Sequence, residues 1–300
     1  MQNQDQSQSL LYKTPLTAEN IRCKITANEI FKEYSTFDED INRDLEVLVQ
    51  EYNLPQEEII AKCGSWKETL LFWVSSTSNK DYFVELTPFS NYRARLFREY
   101  GKDINTTPLP CITTGITISN DKQIIAGVRG GKVHAGRICL APCGYANAGE
   151  YFGYPYIDYT DLKRKLEYPD LYFEGDLFEE NPIFRAYYQE LYEELGLMKD
   201  DLVEEPVVIG EFYDYQYTKG LTYAFLAKAK FSVEDILKKQ ESAKDAWEFD
   251  CMSGIKADEN EVKKFLDEKK ERLLVLGKKP LELYLQYKTL KIEPRLIVKP

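Results

Sequence analysis

The chain has 300 residues, 43% of them hydrophobic and 30% charged, which is enough to bury a sizeable core in one large or two ordinary globular domains. Its formal net charge of -11 argues against nucleic-acid backbone as the main partner, since that binding needs a basic face. It still admits an anionic nucleotide brought in with a divalent cation.

Six scattered cysteines, none in a C-x-x-C pair, and the single histidine His134 speak against an ordinary zinc site. They fit reduced thiols in a cytoplasmic protein. The first residues, MQNQDQSQS, lack the apolar stretch of a signal peptide. No apolar run approaches the ~20 residues of a membrane helix, so no membrane partner is expected.

In chain order, residues 1–15 are expected to be disordered, being polar with little to bury. A smaller α+β region is expected over 16–105. It opens with a helix from Phe37 carrying Ile41, Leu45, Leu48 and Val49, which Asn53-Leu54-Pro55 ends. Strands at 68–75 and 81–86 then form a hairpin, and a helix over 92–100 closes at Gly101.

The third region spans 106–300. Strands at 112–119 and 123–128 turn at Asn120-Asp121, and another at 137–141 ends at Pro142-Cys143-Gly144. An aromatic insertion covers about 151–180. One strong helix follows at 182–195, then strands at 207–213 and 221–229 and helices at 233–240, 259–271 and 280–287. The expected fold class is α+β, with a mixed β-sheet flanked by helices.

The helix at 182–195 is delimited by its own sequence. Asn181 can cap it, Pro182 suits the first helical position, and Gly196 suits the left-handed residue that stops it. Glu190, Glu193 and Glu194 stand at i, i+3 and i+4, on one face near the C-terminus. There they repel one another and oppose the helix dipole. Either this is a solvated acidic face, as in many Glu-rich helices, or something positive sits on it. Hard carboxylate oxygens are what Mg²⁺ or Mn²⁺ selects.

The surrounding residues, Gln189-Glu190-Leu191-Tyr192-Glu193-Glu194-Leu195-Gly196-Leu197, resemble the second half of the Nudix box, R-E-U-x-E-E-x-G-U with U apolar. Upstream, Gly144 and Glu150 resemble its first half, G-x5-E. Two departures stand out. Gln189 occupies the position of the box arginine, and a long segment, 151–188, separates Glu150 from it. Either Glu150 belongs to the box, or the box resumes at Asn181, which would then pair amide-to-amide with Gln189. Both departures resemble the UDP-glucose/UDP-galactose diphosphatase branch. A weaker upstream likeness lies in Val84-Glu85-Leu86-Thr87 and Asn91-Tyr92-Arg93, so the resemblance runs from about Leu70 to Leu266.

The resemblance implies a Nudix-type α/β/α sandwich with Mg²⁺ or Mn²⁺ on Glu190, Glu193 and Glu194. It implies hydrolysis of a nucleoside diphosphate linked to another moiety, most simply a UDP-sugar. The alternatives are ADP-ribose or dinucleotide hydrolysis, or a nucleotide-binding protein without turnover. A homodimer is also compatible with it. Glu190, Glu194 and Glu248 are the catalytic candidates, Glu248 as a base near the end of the domain. Arg129 and Arg137 are phosphate-clamp candidates, with Lys132 nearby. Gly144 and Tyr145 are further substrate-binding candidates, Tyr145 at the head of a run of rings (Tyr151, Phe152, Tyr154, Tyr156, Tyr159) able to stack a base. His134 reads as a loop residue.

Overall fold

The computed structural model describes residues 9–20, 22–25, 70–78, 81–88, 109–130, 134–146, 181–214 and 220–290. The helices expected from Phe37 and over 92–100, the insertion at 151–180, Lys132 and Glu150 lie outside the described residues.

The described strands are β1 (Ser9–Leu16), β2 (Arg22–Ile25), β3 (Leu70–Ser78), β4 (Asp81–Pro88), β5 (Leu109–Ile118), β6 (Gln123–Arg129), β7 (Ile138–Leu140), β8 (Cys143–Tyr145), β9 (Val207–Tyr213), β10 (Leu221–Lys228) and β11 (Phe249–Lys256). The described helices are α1 (Pro182–Leu195), α2 (Val233–Gln240), α3 (Glu259–Lys269) and α4 (Val275–Thr289). They fold as two compact units that interleave along the chain. One holds residues 1–20, 112–144 and 187–300, the other 21–111 and 145–186.

In the first unit β1 pairs antiparallel with β9, β9 with β10, and β10 neighbours β5. β5 turns into β6 at Ile118↔Ile124, and β6 carries β7 and β11, both antiparallel. For residues 9–15, β1 corrects the expectation of disorder, while residues 1–8 lie outside the described residues. Leu11 packs on the core and Leu16 is buried, so the segment SLLYKTPL has enough apolar side chains to complete the edge of β9.

Helices cover both faces of this sheet. On β10 the Phe225 ring stacks on Tyr187 of α1, with centroids 4.2 Å apart and planes at 10°. Its chain neighbours Ala224 and Leu226 join Leu281, Leu283, Tyr284 and Tyr287 of α4 in one core cluster. Successive strand residues point to opposite faces, so α1 and α4 lie on opposite sides, an α/β/α sandwich. Tyr187 and Phe225 are fully buried, each stabilising the fold by roughly 2 kcal/mol. Gly115 allows the approach: a Cβ there would come within 2.8 Å of Tyr187 Cε2 and 2.6 Å of Pro142 Cδ.

The second unit is built on the β3–β4 hairpin, antiparallel from Leu70↔Pro88 to Ser78↔Asp81, with β2 parallel to β4. β3 also pairs with the start of β5 at Trp73↔Pro110. Parallel and antiparallel pairings together make the expected α+β protein with mixed pairing. Among the described residues no helix is long and apolar enough to cross a membrane.

Candidate functional site

α1 starts and stops where its sequence says. Asn181 Oδ1 accepts from the backbone N–H of Ile183 at 3.0 Å and of Phe184 at 3.4 Å. Gly196, at φ +64°, ends the helix, with Gly196 N–H donating to Tyr192 O (2.9 Å) and Leu197 N–H to Leu191 O (3.3 Å). Between these ends, Phe184, Tyr187, Leu191 and Leu195 are buried, and the same helix carries Glu190, Glu193 and Glu194.

The three carboxylates are not equivalent. Glu194 is 1% exposed, and its Oε2 accepts the backbone N–H of Cys143 at 3.0 Å. Glu190 lies against Gly144: a Cβ on that glycine would fall 2.0 Å from the Glu190 carboxyl carbon. Glu190 and Glu194 therefore both meet the start of β8. Glu193, 7% exposed, instead accepts from Gln189 Nε2 at 2.5 Å and from the Lys244 ammonium, both at Oε1. Its backbone carbonyl accepts Asp245 N–H at 2.8 Å. The Asn181 side-chain oxygen thus caps the helix, and the Gln189 amide bonds Glu193.

Arg129, at the end of β6, and Glu248, just before β11, hold each other through Nη1 and Oε2 at 2.5 Å. Gly130 N–H donates to the Glu248 carbonyl at 2.7 Å, fixing the turn. Burial pushes the Glu194 carboxyl well above the usual range, helped by Cys143, Glu190 and Glu248 and opposed by Arg129. Burial also raises Glu248, opposed by Arg129 and reinforced by Asp245 and Glu193. Glu190, Glu193, Glu194 and Glu248 are therefore one electrostatic neighbourhood, to which, among the described residues, Arg129 and Lys244 bring positive charge.

Arg137 immediately precedes β7, and its carbonyl accepts Arg129 N–H at 2.7 Å, so the two arginines are backbone neighbours. Tyr145 follows Gly144 on β8 and belongs to the second unit. His134 sits at φ 59° in the turn before β7, where its carbonyl accepts Arg137 N–H at 3.0 Å, consistent with a loop residue. Sequence reasoning missed Lys244 and the Cys143 backbone. Each lies 51 residues from its glutamate, beyond the reach of any local pattern.

Among the described residues no three His, Cys, Asp or Glu side chains converge closely enough to form a ready-made metal site. The donor chemistry nevertheless suits Mg²⁺ or Mn²⁺. The oxygens are hard, and a buried carboxylate raised by burial and like charges is stabilised in its ionised form by an added cation.

No protein-family model matches the sequence, and no curated protein matches it. Among solved structures, the chain is similar to a MutT protein from Methanosarcina mazei Go1 at 14% identity and TM-score 0.36, covering 60% of this chain and 94% of that one. It is also similar to a bifunctional NMN adenylyltransferase/ADP ribose pyrophosphatase from Francisella tularensis. The structure with AMP and Mn ion gives 17% identity and TM-score 0.33, covering 67% of this chain and 46% of that one. A second structure of that protein gives 15% identity and TM-score 0.32. This chain thus spans less than half the length of the Francisella protein. At such values these likenesses define neither a family nor an activity for it.

Proposed function

We propose that the protein is a Nudix-type hydrolase that cleaves a nucleoside diphosphate linked to another moiety, a UDP-sugar being the preferred substrate, in the cytoplasm. The observation that carries this reading is the helix α1, whose box-like Glu190, Glu193 and Glu194 share a neighbourhood with Glu248 and Arg129. In this reading Glu190, Glu193 and Glu194 hold Mg²⁺ or Mn²⁺. The ion, when bound, neutralises diphosphate oxygens and acidifies a bound water.

The chain's own residues supply the rest. The Cys143 N–H fixes one oxygen of Glu194, and bare Gly144 leaves room for the Glu190 carboxylate. Arg129 offers a guanidinium for a phosphate once it exchanges Glu248 for substrate, and Glu248 is then free to accept a proton. Arg137, Gly144 and Tyr145 contribute to substrate binding. Hydrolysis of ADP-ribose or a dinucleotide uses the same chemistry. A nucleotide-binding protein without turnover is the second reading, and the engagement of Glu193 by Lys244 and Gln189 favours it.

Product release from UDP-glucose, UDP-galactose, ADP-ribose, dinucleotides and nucleoside triphosphates, with Mg²⁺ or Mn²⁺, tests the proposal. Cleavage of one class, lost in Glu193→Gln and Glu194→Gln, is expected. No turnover by the folded protein with metal present sinks the hydrolase and leaves the binding protein.

A further inference from the structure

Glu193 is a nearly buried carboxylate whose Oε1 receives two donors, the Gln189 amide and the Lys244 ammonium. Among the described residues none donates to its Oε2. Lys244 differs from its partner in being 58% exposed. It sits in the segment between α2 and β11, which is held independently of its side chain. Asp245 N–H donates to the Glu193 carbonyl (2.8 Å), Ala246 N–H to Ala243 O (3.2 Å), and Gln240 Nε2 to Ala246 O (3.3 Å).

Resting on the metal-dependent reading above, we propose that Lys244 is the resident counter-ion of Glu193, which a divalent cation entering the carboxylate group must displace. Three carboxylates at i, i+3 and i+4 near a helix C-terminus are mutually repulsive, and the ammonium relieves that repulsion when no metal is present. A divalent ion on Glu193 meets a positive charge already bonded to the same carboxylate, so the two cations repel each other and compete for it. Lys244 is the one able to leave. Its side chain is 58% exposed against 9% for that of Glu193, and the backbone bonds hold the segment independently of it. Gln189 retains its hydrogen bond throughout, holding the Glu193 carboxylate in position as the cation is exchanged. By linkage, whatever Lys244 contributes to the metal-free protein is subtracted from metal affinity.

Titration of the full-length protein with Mn²⁺ alone, followed by calorimetry or by the paramagnetic signal of free Mn²⁺, reads this directly without turnover. Lys244→Met should bind Mn²⁺ about fivefold more tightly than the wild type, the scale of one partly exposed ion pair. Lys244→Arg should bind like the wild type. Lys238→Met, which removes the same charge from α2 where Lys238 pairs with Glu234, should change affinity less than about twofold. Thermal melts check folding, and Lys244→Gln replaces Lys244→Met should that variant fail to fold.

Equal or weaker Mn²⁺ binding by the Lys244 variant, with the wild type binding normally, overturns the counter-ion role and leaves the metal-dependent reading standing. An equal gain in Lys238→Met also overturns it, since the effect is then one of net charge. Absence of Mn²⁺ binding in all the folded proteins overturns both.

Discussion

The backbone N–H of Cys143 donates to Oε2 of Glu194 across 3.0 Å, tying the start of β8 to the acidic end of α1. Both groups are buried, so removing the acceptor leaves a buried N–H without a partner, a loss of about 1–3 kcal/mol before any cavity is counted. Glu194→Ala should lower the unfolding free energy by at least that much in urea titrations. Glu194→Gln keeps a carbonyl oxygen for Cys143 and should lose much less, while abolishing the metal-dependent turnover proposed above by roughly a hundredfold or more. Equal destabilisation by both variants would show that charge, not the hydrogen bond, is what the site needs from Glu194.

Gly144 separates function from stability differently. The atoms nearest an alanine Cβ there are the carboxyl end of Glu190, at 2.0 Å from Cδ and Oε1. That end is flexible, so the variant should fold with a loss below about 1.5 kcal/mol by thermal melting. Glu190, however, must turn away from β8. Gly144→Ala is therefore expected to weaken Mn²⁺ binding about tenfold or more while leaving the melting curve nearly in place. A large drop in melting temperature with unchanged Mn²⁺ affinity would assign Gly144 to packing alone.

Thr114 and Leu276 illustrate a contact that corrects the sequence reading. The spacing places the last helix at 280–287, beginning at Pro280, yet α4 runs Val275–Thr289 with Pro280 inside it. Proline has no N–H to give the carbonyl four residues back, that of Leu276. The Thr114 hydroxyl donates to that carbonyl instead, at 3.2 Å. Thr114→Val preserves shape and removes the donor, so it should cost about 1–2 kcal/mol in denaturant midpoint experiments. A neutral result would mean that water satisfies Leu276 O.

The Thr114 case also shows what the sequence can and cannot reveal. Val207–Tyr213 and Val233–Gln240 fall where their apolar patterns and flanking signals put them, and Asn181, Pro182 and Gly196 delimit α1, because these signals are local. β1 was hidden because its hydrogen-bond partner, β9, lies far along the chain and the run that leads into it, MQNQDQSQ, is polar. β8 was hidden because three residues after Pro142 carry no periodicity. In the candidate site the glutamates of α1 were legible from spacing. Their partners Cys143 and Lys244, and the Arg129–Glu248 pair spanning 119 residues, depend on tertiary structure alone.

Glu211 gives a pH prediction away from the site. It lies on β9 between Leu10 of β1 and Tyr223 of β10, and Tyr12 donates its hydroxyl to Oε2 at 2.5 Å. Burial raises its carboxyl above the ordinary 4.5, with the Tyr12 bond opposing. The folded state therefore holds this proton more tightly than the unfolded state. Its contribution to stability is complete below about pH 4.5 and is lost as pH rises through the folded value. Glu211→Gln stays neutral and still accepts from Tyr12. Its unfolding free energy should fall less than that of the wild type above pH 4.5, leaving it at least as stable at neutral pH. A wild-type-like pH slope in the variant would contradict this.

Arg129 and Glu248 make opposite demands on each other. The 2.5 Å ion pair, with both side chains only about a fifth to a quarter exposed, favours ionised Glu248, while burial favours its protonated form. A proton acceptor for a water nucleophile must be ionised at working pH, so Arg129 assists Glu248 in the role proposed for it. Arg129→Met removes that assistance. The pKa of Glu248 should then rise, and the acid limb of the kcat/KM profile should move to higher pH. Glu248→Gln should lower kcat and flatten the same limb, leaving KM within a few-fold. Arg129→Lys restores a charge but not the planar fork, so it should return the limb towards its wild-type position while recovering less of the substrate affinity. An acid limb that stays in place in Arg129→Met would remove Glu248 from the proton-accepting role and leave its ion pair as a clasp between β6 and β11.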